Sequence, residues 1–195
     1  ADLGLKPGAP MALAVSGGGD SVALMRLAAD WAAGAKTGKP AVLTVDHGLR
    51  EGSRKDAELV RQWAHAVGLD AHVLVWKGAK PKSNVEEKAR AARYRLMGQW
   101  CRAHGIGALV LAHTQEDQAE TFLLRLGRGS GVDGLSAMRT KAGFPLEGFA
   151  DIALYRPLLN VGRAELRAEL VRRGRALVSH QVFRSSMRMA ETWAV

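Results

Sequence analysis

A single cysteine, Cys101, is all the thiol chemistry that the 195 residues hold. One thiol excludes an intrachain disulfide, a four-thiolate zinc site and an internal Cys-x-x-Cys redox pair. Long apolar runs are missing as well. No stretch reaches the roughly 18 apolar residues of a membrane span, and no basic segment leads into a short apolar one with a small-residue cleavage site, so neither membrane insertion nor secretion is expected and the expected location is cytoplasmic. Acidic residues are the third shortage: 19 Asp and Glu face 28 Lys and Arg, a formal net charge of +9. That excess suits a protein meeting phosphate-rich partners, although a solvated basic surface would give the same count. It is uneven, with eight arginines against three glutamates from Arg156 to Val195, which makes the basic end a candidate for nucleic-acid contact.

What is present is a soluble, core-forming composition, 47% hydrophobic and 24% charged, enough for one packed domain and too apolar for disorder. Short apolar runs alternate with longer helix-period stretches. Strands are expected at Met11–Val15, Ala41–Asp46, Ala71–Trp76, Ala108–Ala112 and Ile152–Tyr155. Helices are expected at Asp20–Trp31 (ended by Gly34), Ser53–Val67, Asn84–His104, Gln115–Leu126 and Arg163–Arg173, with Asn84 and Glu87 as a capping box. Repeated strand–helix units with continuously apolar strands predict an α/β fold: an open, parallel, five-stranded sheet with helices on both faces. A closed barrel would need eight units in about 250 residues. In open sheets ligands bind beyond the carboxyl ends of the strands, so the residues just after each strand carry the functional information.

After the first strand comes Ser16-Gly17-Gly18-Gly19-Asp20-Ser21, running straight into a helix. Glycines let backbone N–H groups approach an anion, and the helix N-terminus adds positive partial charge, so this is a phosphate cradle. It lacks the Gly-Lys-Ser/Thr ending of a Walker A loop, and Val22 stands where a dinucleotide fingerprint needs its last glycine. The pattern SGGxDS resembles the pyrophosphate loop (PP-loop) of the ATP pyrophosphatases, which split ATP between the α and β phosphates to adenylate a substrate.

Three further segments narrow the resemblance: Val45-Asp46-His47-Gly48-Leu49-Arg50 after the second strand, the stretch from Asn84 to Tyr94 (NVEEKARAARY), and Leu111 to Met138 (LAHTQEDQAETFLLRLGRGSGVDGLSAM). Together with Arg156-Pro157-Leu158-Leu159 they resemble the tRNA(Ile)-lysidine synthetases, over Ala12 to Arg173. The resemblance implies ATP and Mg²⁺, L-lysine, and the isoleucine tRNA with a CAU anticodon, whose wobble cytidine is adenylated on its C2 oxygen before a lysine amine displaces AMP. It implies ATP contacts from Ser16, Gly17, Gly18, Gly19, Asp20, Ser21, Asp46 and His47, and adenylation roles for Asp20, Arg93 and His113. Asp20 is also the residue suited to Mg²⁺. Asp117 and Glu120, three apart on one helix face, are implied to be catalytic and to grip lysine, although Thr114 and Asp117 also fit a plain capping box. For His113 the competing explanation is a structural or solvent-facing histidine, and for Arg93 an ordinary helical ion pair. The family's aspartate before the match of Asp117 is Glu116 here.

The basic, glycine-rich segment containing Arg128, Gly129 and Ser130 reads as a tRNA contact or as an idle connector. Cys101 and the tryptophans at 31, 63, 76 and 100 read as packing. Residues 1–173 are expected to form the ATP-binding catalytic domain, and 174–195, where the resemblance decays, the start of a truncated region; a homodimer is admitted. Three other functions compete. A tRNA thiolase with the same loop would want paired cysteines, an ammonia-using synthetase would want a glutaminase partner, and an idle nucleotide- or RNA-binding module would want no chemistry at all.

Overall fold

The computed structural model describes residues 8–35, 38–127 and 137–173. The chain alternates as β1 (Ala12–Ala14), α1 (Gly19–Ala35), β2 (Ala41–Asp46), α2 (Ser53–Ala66), β3 (Ala71–Val75), α3 (Val85–Ala103), β4 (Ala108–Val110), α4 (Gln115–Gly127), β5 (Lys141–Gly143), β6 (Ala153–Tyr155) and α5 (Arg163–Arg172). The strands form one sheet in the order β3-β2-β1-β4-β6-β5. All neighbours are parallel except the edge pair, where Ala142 of β5 faces Leu154 of β6 antiparallel. The α/β sheet with its five parallel strands is therefore as expected, and the sixth strand is an addition. Lys141-Ala142-Gly143 has neither β-branched nor aromatic residues and no apolar run; it is a strand because β6 supplies its hydrogen bonds, which no local pattern announces.

Period-two alternation sends neighbouring strand residues into two cores. Leu13, Val42 and Val110 pack with Val22 and Met25 of α1, Val60 of α2 and Leu166 and Leu170 of α5. Ala12, Leu43, Leu109 and Leu154 pack on the other face with Tyr94, Met97 and Cys101 of α3. Phe144 and Phe149 close this second core against α3, where a Cβ on Gly98 would stand 2.8 Å from the Phe149 ring.

Several local expectations are corrected. Helix α1 passes through Gly34 to Ala35. Asn84 precedes α3 in the left-handed conformation (φ 49°) and makes no side-chain cap bond, so the capping box with Glu87 does not form: an N-cap side chain reaches the first-turn N–H groups from an extended backbone, not a left-handed one. Helix α4 has its expected bounds to within one residue, and it buries none of its residues: Phe122, Leu123, Leu124 and Leu126 are exposed. Trp31 is likewise exposed on α1, whereas Trp63 and Trp100 pack at the edges of the two cores.

Candidate active site

The sheet order reverses at β1, because β2 and β3 extend to one side of it and β4 and β6 to the other. Side chains and loops leaving the carboxyl ends of β1 and β4 diverge there and leave a crevice. A cavity of about 560 Å³ fills it, lined by Ser16, Gly18, Gly19, Asp20 and Ser21 after β1, His113 after β4, and residues of α3, α4 and α5. That volume suits a nucleotide-sized ligand.

The loop after β1 is braced by its two serines. Ser21 Oγ donates to the Gly18 carbonyl at 2.8 Å and accepts from the Ser16 N–H at 3.2 Å, while the Gly18 N–H reaches Ser16 Oγ at 3.4 Å. Gly17 has φ +90°, and a Cβ there would stand 3.3 Å from Val60 of α2, so glycine is required by conformation and by helix packing together. Gly18 and Gly19 present backbone to the cavity at the N-terminus of α1, where first-turn N–H groups lack intrahelical partners.

His113 and Arg156 form the second feature. Arg156, buried just after β6, donates from Nε to His113 Nδ1 at 3.1 Å. Because a guanidinium can only donate, Nδ1 must be the acceptor and the imidazole proton sits on Nε2. Burial, reinforced by the Arg156 charge, holds His113 down to about 4. The ring is therefore a neutral donor at physiological pH. Arg93 lines the same cavity from α3; burial lowers its pKa from the usual arginine value, and it remains cationic.

The third feature is a carboxylate cluster closed by one arginine. Arg163, the first residue of α5, donates to Asp20 Oδ2 at 3.0 Å, to Asp117 Oδ1 at 2.9 Å and to Glu120 Oε1 at 3.5 Å. Asp117 uses its other oxygen as a cap, accepting from the Thr114 N–H at 2.6 Å and the Thr114 hydroxyl at 3.0 Å. The capping explanation and the cluster thus coexist in one side chain, one oxygen each. Burial raises the Asp20 carboxyl above the usual range, Arg163 opposes that shift and Asp117 adds to it. Glu116 stands apart from the cluster. Its carboxylate accepts the Arg163 backbone N–H at 2.8 and 3.1 Å and so caps α5, whose N-cap Gly162 has no side chain to do so. Among the described residues no group of three or more His, Cys, Asp or Glu side chains, this cluster included, is arranged so that it could hold a metal ion by itself. Asp20, the carboxylate next to the glycine loop, lines the cavity at the N-terminus of α1.

His47 also lines the cavity, with its pKa lowered by burial and then by Arg50. Asp46 and Gly17 do not line it. Asp46 Oδ1 instead accepts from Ser53 Oγ at 2.5 Å and from the Gly48 N–H at 3.1 Å, bracing the turn that carries His47. Glu120 reaches the site only through Arg163, and Arg128, Gly129 and Ser130 lie outside the described residues. Sequence reading passed over the roles of Arg156 and Arg163. Arg156 directly follows a strand, and Arg163 puts a cation on the first position of a helix, where the dipole disfavours it; that misfit is a legible signal for an ion cluster.

Fold and site together define an α/β nucleotide-binding domain with an anion cradle at its switch point. Comparison places it further: a family model described as the PP-loop domain matches residues 4–180, and the chain belongs to that family, which implies ATP binding. Among curated proteins it is 46% identical over 157 residues to the tRNA(Ile)-lysidine synthase of Wolbachia pipientis, covering 80% of this chain and 35% of that protein. It is 48% identical over 162 residues to the enzyme of the same name from a Bradyrhizobium species, covering 82% and 44%. The chain spans less than half the length of these two relatives. Among solved structures, the U34-tRNA thiolase NcsA from Methanococcus maripaludis, determined with its [4Fe-4S] cluster, superposes with a TM-score of 0.68 at 15% identity, over 97% of this chain and 69% of that one. That likeness shows the fold. No helix among the described residues is long and apolar enough to cross a membrane.

Proposed function

We propose that the chain is the catalytic PP-loop domain of a lysidine-forming tRNA ligase, with residues 1–173 as the domain. The observation that carries this reading is the meeting, around one cavity, of a phosphate cradle, a neutral histidine donor and a carboxylate cluster suited to an ammonium group, in a chain whose relatives bear the name tRNA(Ile)-lysidine synthase. In the first step the C2 oxygen of the wobble cytidine attacks the α phosphorus of ATP and pyrophosphate leaves. Backbone N–H groups of Gly18 and Gly19 hold phosphate, and Arg93 offsets the negative charge that builds on the phosphates. His113, donating from Nε2, hydrogen-bonds the transferred phosphoryl group or the base oxygen without taking a proton. A magnesium ion held with the triphosphate at Asp20 would add charge neutralisation.

In the second step a lysine amine attacks C2 and AMP departs. Asp117 and Glu120 hold the lysine's other ammonium, sharing their oxygens with Arg163 or taking its place beside it. A sulfur-transfer reading has little support, because Cys101, the only thiol, is fully buried in the α3 core and pushed up to about 11 by burial.

Incubation with ATP, lysine and the CAU-anticodon isoleucine tRNA, read by mass spectrometry, is expected to yield AMP and lysidine. Asp117→Asn keeps an acceptor for Thr114 and weakens the charge-assisted hold on lysine. Its lysine KM should rise about ten- to hundredfold, since such bonds contribute about 1.5 to 3 kcal/mol, while tRNA-dependent pyrophosphate release persists. Equal loss of both steps would assign Asp117 to adenylation, and pyrophosphate release indifferent to tRNA would overturn the reading.

A further inference from the structure

A second recess lies across α3 from the catalytic cavity. Ala89, Arg90 and Arg93 face the cavity, whereas Lys88, Ala91, Ala92 and Arg95 line a recess of about 380 Å³ between the helix and the loop leaving β3; helical spacing puts these two sets on opposite faces. From the loop come Trp76 and Lys80, with Lys77 and Lys82 nearby in sequence. No carboxylate lines the recess. Among the described residues, Lys88 and Arg95 form no ion pair. Cations gathered without a counter-ion repel one another, and an arriving anion relieves that repulsion.

The aromatic floor gives the anion a further property. Trp76 is fixed at the carboxyl end of β3 by its N–H bond to the Asp46 carbonyl at 2.9 Å, and Lys80 Nζ lies 4.3 Å from the centre of the Trp76 rings. The same Nζ donates to the Trp76 carbonyl, so Lys80 is tied to Trp76 by one hydrogen bond and by an ammonium–indole contact that is weak at a solvent-open site. The same Lys80 lies against Gly48, where a Cβ would meet its Cε at 3.2 Å, so the recess adjoins the turn that carries His47 into the catalytic cavity. A polyanion with flat rings fits these features: its phosphates pair with Lys88 and Arg95, and one base or ribose takes the indole face as Lys80 exchanges its hydrogen bond to the Trp76 carbonyl for one to a phosphate.

We propose that this recess seats the RNA strand flanking the nucleotide that is modified, an inference that rests on the tRNA reading above and adds a location to it. The test is fluorescence anisotropy with labelled isoleucine tRNA at salt between about 50 and 200 mM, with ATP binding by calorimetry as the control for folding. The double variant Lys88→Ala/Arg95→Ala should bind tRNA about tenfold more weakly at low salt. Its plot of log affinity against log salt should be shallower by about 1.4, the equivalent of two single-strand phosphates. Trp76→Ala should weaken binding with the slope unchanged, Trp76→Phe should restore most of it, and all three should bind ATP normally. Wild-type RNA affinity and slope in variants that still bind ATP would overturn the location while leaving the function intact. A wild-type chain that binds ATP but no tRNA would overturn both. Polyglutamate that competes as well as unlabelled RNA, and equally in Trp76→Ala, would assign the recess to an acidic protein instead.

Discussion

The pairing of His113 with Arg156 shows how one hydrogen bond selects a chemistry. A histidine beside a carboxylate would be a proton carrier near neutrality, but beside a buried guanidinium it is kept neutral and its remaining proton is directed to the other nitrogen. The consequence for stability has a definite sign. The folded His113 titrates at about 4, whereas an unfolded histidine titrates near about 6.5. Between those values the unfolded chain holds a proton that the folded chain refuses, so this group makes stability rise with pH from about 4 to 6.5 and leaves it level above. In urea denaturation, wild type minus His113→Gln should therefore gain up to about 3 kcal/mol between about pH 4 and pH 7. Parallel profiles for the two proteins would mean that the histidine is not held neutral. His113 itself was legible as a site residue from its place after a strand. The arginine that sets its state was not, since the two are 43 positions apart in sequence.

Apart from the end of α1, which runs four residues past Trp31 to Ala35, the elements with strong apolar patterns have the expected bounds to within a residue or two, and β2 has identical ones. Those that failed lacked local signals or had misleading ones. Strand β5 exists through its partner, and the Asn84 cap is denied by a left-handed backbone. Helix α3 supplies the test at this level. Gly98 sits inside a helix, where alanine is ordinarily better by about 1 kcal/mol. Here an alanine Cβ would lie 2.8 and 2.9 Å from the Phe149 ring and 3.0 Å from Phe144, and these rings are themselves packed against the α3 core with centroids 5.1 Å apart. Overpacking of that kind costs about 1–3 kcal/mol. Gly98→Ala is expected to lower the denaturant midpoint despite its better propensity; an unchanged or raised midpoint would show that the aromatic loop gives way freely.

For the molecule as a whole, the switch point couples ligand binding to the stability of the sheet, because the cradle grows out of the central strand β1, which pairs with β2 and β4. A ligand at about 100 times its Kd adds about 2.7 kcal/mol to the folded state. For a domain of this size that is a rise in Tm of roughly 5–10 °C. Adding ATP with magnesium should produce such a rise in the wild type. Gly18→Val should lack it while melting near the wild-type temperature in the absence of ATP, because a Cβ at Gly18 meets only Ser16 Oγ at 3.5 Å and fills space that phosphate needs. An undiminished ATP shift in that variant would remove the loop from the binding site. The parallel α/β architecture, the Gly-rich cradle and most of the candidate site residues could be read from the chain alone, because apolar periodicity, helix starts and the SGGxDS loop are written over a few consecutive residues. The convergence of Asp20, Asp117, Glu120 and Arg163, drawn from three helices, could not; nor could the edge strand, the use of Asp46 as a brace or the neutral state of His113. Each of these depends on which distant groups share a low-dielectric space, and distances across a sheet are set by packing rather than by spacing along the chain.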